Sequence, residues 1–381
     1  MKPIRTAIFG TGFMGRVHLE ALRRIEHVEP AAIIGRNTAA AERLGAAFGV
    51  PCATPEMIFA DASIQAVHIC TPNALHFAMA KQALLAGKHV LCEKPLATTP
   101  EQAQELATLA AQRRLRVAVC HNLRYYPMVQ HMRAMREAGE LGDILIVQGS
   151  YLQDWLLFET DWNWRVDSTQ GGPSRCMADV GSHWFDAAEH ITGLRVFSLC
   201  ADLQTFLPVR QRPKQSIETF ANKSFSAGDY IPTPVETEDF GAVVFHIGTR
   251  ARGVMTAGQC SAGRKNRLSI EIYGTKSGVS WSQERPDELW IGHRETANQL
   301  IIKDPAVLHP SARPFADLPG GHSEGYDDTF KQLFRRFYSS IADLETPPEY
   351  PTFADGLRQL NILNAVLESN RTRAWVEVPA V

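Results

Sequence analysis

The chain has no C-x-x-C pair. Its seven cysteines, Cys52, Cys70, Cys92, Cys120, Cys176, Cys200 and Cys260, are odd in number and widely spaced. That pattern argues against a disulfide framework or a cysteine-built zinc site and fits a reducing cytoplasm. There is no charge excess either: 39 Lys and Arg stand against 41 Asp and Glu, a formal charge of -2. A basic surface for nucleic acid or for anionic lipid is therefore not expected. No apolar run approaches the roughly 20 residues needed to span a bilayer. The opening "MKPIRTAIFGTG" enters a strand-like run at once, which leaves no room for a signal peptide. Internal repeats and low-complexity segments are also lacking. What is present is an ordinary globular composition, 45% hydrophobic and 21% charged, in 381 residues. That length favours two cores over one.

The first 120 residues alternate short apolar runs with helical patterns. "IRTAIFG", "PAAIIG", "AVHIC", "HVLC" and "RVAVC" read as strands. "MGRVHLEALRRI", "AAAERLGAAFG" (stopped at Gly49), "HFAMAKQALLAG" and "TTPEQAQELATLAAQRR" read as helices. Thr99, Pro100 and Gln102 stand where an N-cap, a first-turn proline and a capping-box partner belong. Short, uniformly apolar strands separated by helices imply a parallel sheet covered on both faces. The turns "CTPNALH", "CEKPLA" and "HNLRYYP" are placed after its fourth, fifth and sixth strands.

The texture changes after "HNLRYYP". "DILIVQGSY" (143–151) opens a β-rich half, continued by "DFGAVVFHIG", "ARGVMTAGQC", "RLSIEIYG" and "ELWIG". Helices are expected near 174–191, 323–341 and 353–369, with a terminal strand in "AWVEV" and a long excursion over 208–235. The expected architecture is an α/β Rossmann domain with a parallel sheet over 1–121. A C-terminal α+β domain with a large, mainly antiparallel open sheet follows over 122–381.

"GTGFMG" holds Gly10, Gly12 and Gly15 in G-x-G-x-x-G spacing, with Thr11, Phe13 and Met14 between them. The pattern gains meaning because it follows the first strand and opens a helix. The first glycine turns tightly, the second admits a pyrophosphate, and the third lets helix and strand pack. The helix N-terminus adds N–H donors for the phosphates. Folds of this type that take NAD usually carry an acid after the second strand, to hold the ribose. Here the sequence reads "IIGRN". Arg36 can pair with a 2′-phosphate, so the reading leans to NADP; stacking of Arg36 on adenine is the alternative. Thr71, Pro72, Asn73 and His76 lie in the turn beside the cofactor crevice. Asn73 can also serve as an N-cap for the helix that follows.

In "LCEKPLA", Glu93 and Lys94 end a strand at the same crevice. An ammonium there faces the place where an alkoxide would develop. The following proline restricts Lys94, and a cis Lys94–Pro95 bond is expected. Asp179, His183 and Asp186 in "DVGSHWFDAAEH" share a helical face. An imidazole can take a hydroxyl proton near neutral pH. No third ligand is suggested nearby, so no metal is expected.

Four tryptophans, Trp155, Trp162, Trp164 and Trp184, crowd one segment. Their faces can stack on sugars or fill core. Trp162 and Arg165 are the expected substrate contacts there. Arg124 and Tyr126 at the domain junction are added, and so is His322 at the start of a helix.

"GTGFMGRVH", "CTPNALHF", "CEKPLA" and "DVGSHWFD" together resemble the Gfo/Idh/MocA oxidoreductases in order and spacing. The resemblance implies NAD(P)-dependent hydride transfer at a secondary hydroxyl of a sugar, cyclitol or glycoside. By it, Lys94 matches the catalytic lysine, Glu93 its supporting neighbour, and Asp179 and His183 the acid and general base. It also implies homodimers or homotetramers formed through the C-terminal sheet. Two other readings are a redox-assisted glycosidase that oxidises a sugar transiently and a non-catalytic dinucleotide or sugar sensor.

Overall fold

The computed structural model describes residues 2–215 and 227–381. Its first sheet has five parallel strands: β1 (Ile4–Phe9), β2 (Val28–Ile34), β3 (Ile64–Ile69), β4 (His89–Cys92) and β5 (Val117–Val119). Their order is β2-β1-β3-β4-β5. Ala7, Ile8, Ile33, Val67, Ile69, Val90 and Leu91 are fully buried, as a sheet covered on both faces requires. Five helices connect or flank the strands: α1 (Phe13–Leu22), α2 (Thr38–Phe48), α3 (Pro55–Ala60), α4 (Asn73–Leu85) and α5 (Pro100–Arg113).

The strand count differs from the expectation. The three site turns follow the third, fourth and fifth strands, and beyond β2 there is only a single bridge, Ile33 to Cys52. Pro51 and Pro55 flank that bridge and cannot donate to a ladder, so a further strand stops there. At α5, the Thr99 side chain caps Gln102 N as expected. The return bond differs, because Gln102 Oε1 accepts from Thr98 N and Thr98 Oγ1.

After α6 (Pro127–Glu137), the second sheet begins with β6 (Ile144–Leu152). α7 (Ser168–Gly171), α8 (Ser182–Thr192) and β7 (Val196–Gln204) follow. Next, β8 (Val209–Pro213) and β9 (Tyr230–Pro234) pair as a separate two-stranded sheet within the expected excursion, of which 216–226 lie outside the described residues. The remaining strands are β10 (Phe240–Ile247), β11 (Ala251–Gly258), β12 (Arg267–Gly274), β13 (Gly278–Ser282), β14 (Glu288–Gly292) and β15 (Gln299–Ile302). α9 (Tyr326–Ala342), α10 (Phe353–Thr372) and β16 (Val376–Glu377) end the chain. The nine-stranded order is β15-β14-β13-β12-β6-β11-β10-β7-β16. Only β6–β11 is parallel; the other pairs are antiparallel.

Alternation sorts the residues of this sheet. Val243, Phe245, Met255 and Ile270 face a core with Trp184 and Phe185 of α8. Ile146, Val244 and Val254 are exposed. The helix expected near 174–191 opens with a wide π-turn, Met177–Gly181, before α8 proper.

The last two long helices return to the first sheet. Phe330, Phe334, Phe337 and Tyr338 of α9 share one core with Ile8, Leu19, Leu22, Ile33 and Leu91. α10 packs against α5 and β7. Residues from the end of the chain thus complete the cover of the first strands. Phe334 is fully buried in this seam. Phe334→Ala should lower the free energy of unfolding by about 3–5 kcal/mol, read by chemical denaturation.

Candidate active site

One cavity of about 1610 Å³ runs from the Gly10–Gly15 turn to the π-turn before α8. At its first end the glycines have distinct reasons. Gly10 sits at φ 118, and a Cβ there would lie 2.5 Å from Cys70 O. A Cβ on Gly15 would lie 2.0 Å from Gly10 O, so Gly15 lies behind the turn rather than in the cavity wall. A Cβ on Gly12 would meet nothing within 4 Å. That open volume stands over the N-terminus of α1, whose N-cap brings no side chain to the first turn. It is the space and the donor set a pyrophosphate needs. Thr11, Gly12, Phe13 and Met14 line it. Arg16, Arg36 and Arg43 line the region beyond, where no carboxylate enters the wall.

At the middle of the cavity the three strand-end turns meet. Thr71, Pro72, Asn73, His76, Glu93 and Lys94 all line it. Asn73 is not a cap: α4 is N-capped by Pro72 with no side-chain bond. Its buried amide donates instead to Gly171 O at 2.8 Å, reaching the second half of the chain. His76 lies between Pro95 O and Thr71 O, at 2.8 Å from each, and so ties two turns together. The Lys94–Pro95 bond is cis.

Lys94 Nζ donates to Asp179 O and to Asp179 Oδ1, each at 2.7 Å. Arg165 Nε donates to the same Oδ1 at 3.2 Å, and Gln259 Nε2 to Oδ2 at 2.9 Å. Burial alone would raise the Asp179 carboxyl, but Lys94 and then Arg165 outweigh it and hold it down to about 2. The aspartate is thus an anion between two cations. The Arg165 guanidinium also lies over the Trp164 ring, 4.4 Å from its centroid.

His183 lines the same wall. Its Nδ1 is buried and has no hydrogen-bond partner among the described residues. Burial, then Lys94 and His121, push its pKa well below the ordinary value. It is therefore a neutral imidazole with an unspent polar atom, next to a cavity. His121 packs edge-on against it, with ring centroids 5.5 Å apart.

Several expected contacts lie elsewhere. Arg124 is outside the cavity wall because carboxylates consume it: its Nε and Nη2 donate to Asp186 at 2.6 and 2.5 Å, and Nη2 to Asp355 at 3.0 Å. Asp186, on the same helix as His183, is therefore engaged away from the cleft. Tyr126 is buried against Trp281, ring to ring at 5.1 Å. Trp162 packs on a satellite core of Leu156, Val166 and Val235. His322 is exposed in the loop before α9, and its own carbonyl takes the buried Lys303 ammonium. Trp155 and Trp164 line the cavity instead, while Trp184 is core.

The sequence reading missed Tyr151, Gln153 and Asn266, which meet in the cavity wall. Asn266 Oδ1 accepts from Tyr151 Oη at 2.7 Å and from Gln153 Nε2 at 2.9 Å. The available signal was position: Tyr151 and Gln153 lie at the end of β6, and Asn266 immediately precedes its neighbour β12. Gln259, which holds Asp179, immediately follows β11.

Comparison with known proteins agrees with this geometry. Residues 4–121 match an oxidoreductase family with an NAD-binding Rossmann fold, and 129–280 match the GFO/IDH/MocA C-terminal domain. Levoglucosan dehydrogenase of Pseudarthrobacter phenanthrenivorans is 30% identical over 397 aligned positions, covering all of both chains. D-glucoside 3-dehydrogenase of Escherichia coli is 26% identical over 362 positions, covering 89% of this chain and 95% of its own. A solved levoglucosan dehydrogenase in complex with NADH and levoglucosan superposes over the full length of both chains, with TM-score 0.89 and 27% identity. No helix among the described residues is long and apolar enough to cross a membrane. Fold, cavity and matches converge: the chain belongs to the Gfo/Idh/MocA family of NAD-binding oxidoreductases.

Proposed function

We propose that the protein is a cytoplasmic sugar dehydrogenase that oxidises a secondary hydroxyl of a sugar, cyclitol or glycoside. The observation that carries this is the convergence of Lys94, Asp179 and His183 in the wall of the cavity that begins at the glycine turn. A bound nicotinamide would supply the hydride acceptor. The chain's own residues do the rest. The Lys94 ammonium stabilises the hydroxyl oxygen as it gains negative charge. His183 receives the hydroxyl proton, and its low proton affinity keeps it in the receiving form. Asp179 aims Lys94 and accepts a bond from the neighbouring hydroxyl. Arg165 is a further substrate contact, and Trp155 and Trp164 offer ring faces to a sugar. The division we favour is 1–121 for dinucleotide and 122–381 for substrate and assembly. The exposed β-face bearing Ile146, Val244 and Val254 is the surface on which two or four copies would pair.

For the dinucleotide we propose NADP(H) over NAD(H). Arg16, Arg36 and Arg43 gather at the end of the cavity that lacks a carboxylate, which suits a 2′-phosphate. Arg36→Ala should raise KM for NADP+ by about ten-fold or more while leaving NAD+ within about two-fold. A wild-type enzyme with the higher kcat/KM for NAD+ would refute the preference.

Lys94→Met should cut kcat by about 10²–10³-fold, the size of losing a preorganised charge at the reacting oxygen. Dinucleotide binding, read by fluorescence, should persist; a variant that keeps its activity overturns the role of Lys94. Oxidation should yield one reduced dinucleotide per product. Glycoside cleavage without its accumulation would point to the redox-assisted glycosidase. The pH profile tests His183. Because its pKa is depressed, the neutral form persists as pH falls through 6.5, its ordinary value. Activity should therefore show no acid limb centred there, and a limb at that pH contradicts the assignment.

A further inference from the structure

Behind Lys94 lies a set of groups, all buried except the half-buried Cys70, that the proposed chemistry leaves unused. His18 comes from α1, His68 from β3, Cys70 from just beyond β3, Cys120 from just beyond β5 and Tyr338 from α9. Tyr338, His68 and His18 form a chain that ends on Glu93, and beside it Cys70 Sγ lies 3.2 Å from His18 Nδ1 and Cys120 Sγ 4.0 Å from His18 Nε2. Tyr338 Oη lies 2.7 Å from His68 Nε2, and His68 Nδ1 lies 2.8 Å from His18 Nδ1. His18 Nε2 lies 2.9 Å from Glu93 Oε1, and Glu93 Oε2 accepts the Lys94 backbone N–H at 3.3 Å. Both imidazoles are fully buried, and Phe334 packs edge-on against each.

The partners fix the direction of the chain. Burial would raise the Glu93 carboxyl, but the bond from His18, its charge interaction and then Lys94 bring it below the ordinary range. An ionised carboxylate only accepts, so His18 Nε2 carries a hydrogen. The Nδ1–Nδ1 contact then holds one hydrogen, and a second would set two N–H groups against each other. A metal fits the same cluster poorly. His18, Glu93 and Cys120 bring ligand atoms within 4.8 Å of one another. Binding would take His18 Nε2 from Glu93. It would also deprotonate a thiol that burial and Glu93 hold far above its usual value.

We propose that His18 and His68 are positioning residues for Lys94: they hold the Glu93 carboxylate against the backbone that aims the lysine. The inference rests on Lys94 being the group that meets the reacting hydroxyl. It also joins the helix that opens at the glycine turn to the lysine at the middle of the crevice. That link makes the chain a path by which the two halves of the site keep register.

His18→Phe tests it. The ring keeps its place beside Phe330 and Phe334 while both nitrogens go. Glu93 is then faced by Cys70, His76, Cys92, Cys120, Tyr326 and Lys94, and keeps the Cys120 thiol but not its ring donor. The expected result is a kcat lower by about ten- to hundred-fold, the scale of a hydrogen bond to a charged group, with KM little changed. A protonated-carboxyl band should appear in the infrared and vanish in His18→Phe/Glu93→Gln. The rate profile should gain an acid limb. His18→Gln, whose amide can donate to Glu93, should recover part of kcat.

Unchanged kcat and pH profile in His18→Phe, with Lys94→Met inactive, overturns the inference and leaves Lys94 standing. So does His18→Gln no better than His18→Phe, or stoichiometric zinc in the purified protein. An active Lys94→Met instead removes the reading beneath it, whatever His18→Phe shows. If His18→Phe does not fold, Tyr338→Phe removes one oxygen and carries the test. A lowered kcat with an acid limb that the unaltered protein lacks supports the chain, and an unaltered profile refutes it.

Discussion

The ion pair between Lys94 and Asp179 organises the molecule. Each partner comes from a different sheet region: Lys94 from the turn after β4, Asp179 from the π-turn that leads into α8. Removing either partner of a buried pair leaves an uncompensated charge, a cost of about 3–5 kcal/mol. Here the pair does not stand alone, because Arg165 brings a second cation to Asp179. Glu93, which lines the same wall next to Lys94, brings a second carboxylate, so two cations stand with two anions there. The same lysine also lowers the proton affinity of His183. One contact between the halves therefore fixes where an ammonium stands in the cavity wall and adds to the burial that keeps the neighbouring imidazole neutral.

That contact is meaningful only if the halves are held in register, and the late helices do this. Phe330 of α9 belongs to the core of the first sheet and also lines the cavity. Tyr326, at the start of the same helix, lines it too. Packing therefore does not stop where the chain passes from the dinucleotide half to the β-rich half. The site wall is built from residues more than 300 positions apart, such as Gly10 and Phe330. A rigid hydrophobic seam takes the place that a flexible linker would have left to chance.

What could be read from the sequence was what depends on local order. Glycine spacing at 10, 12 and 15 reports a turn whose constraint lies within a few residues, and the structure shows the close approaches directly. Lys94 stood out because a charged residue followed an apolar strand at a predictable crevice. Arg124 stood in an equally suggestive place. Its fate was decided by Asp186 and Asp355, 62 and 231 residues away, which no local pattern reveals. Trp162 and Tyr126 went to cores for the same reason: an aromatic ring suits a core as well as a sugar. Tyr151, Gln153 and Asn266 have no unusual chemistry to advertise. Their importance comes from neighbouring strand ends, and that adjacency is a property of the sheet order. The π-turn at Met177–Gly181 was invisible because its five residues would serve a regular helix as well.

The charges of the cavity are sorted along its length. Arg16, Arg36 and Arg43 stand at one end, while the acids in the wall, Glu93, Asp154 and Asp179, stand at the middle and far end. Each of these acids has a cationic or imidazole partner: Glu93 has His18, Asp154 has Lys265, and Asp179 has Lys94 and Arg165. No anion in the wall is left to repel a phosphate, and none is free to attract a cation. A polyanionic dinucleotide can thus lie along the arginine end, while the far end keeps its paired charges for orienting neutral, hydroxyl-rich molecules. The arrangement separates two recognition problems in one continuous space, affinity by net charge at one end and orientation by fixed dipoles and rings at the other. The Lys94–Asp179 contact lies between the two regions, where the strand-end turns of the first sheet meet the π-turn before α8.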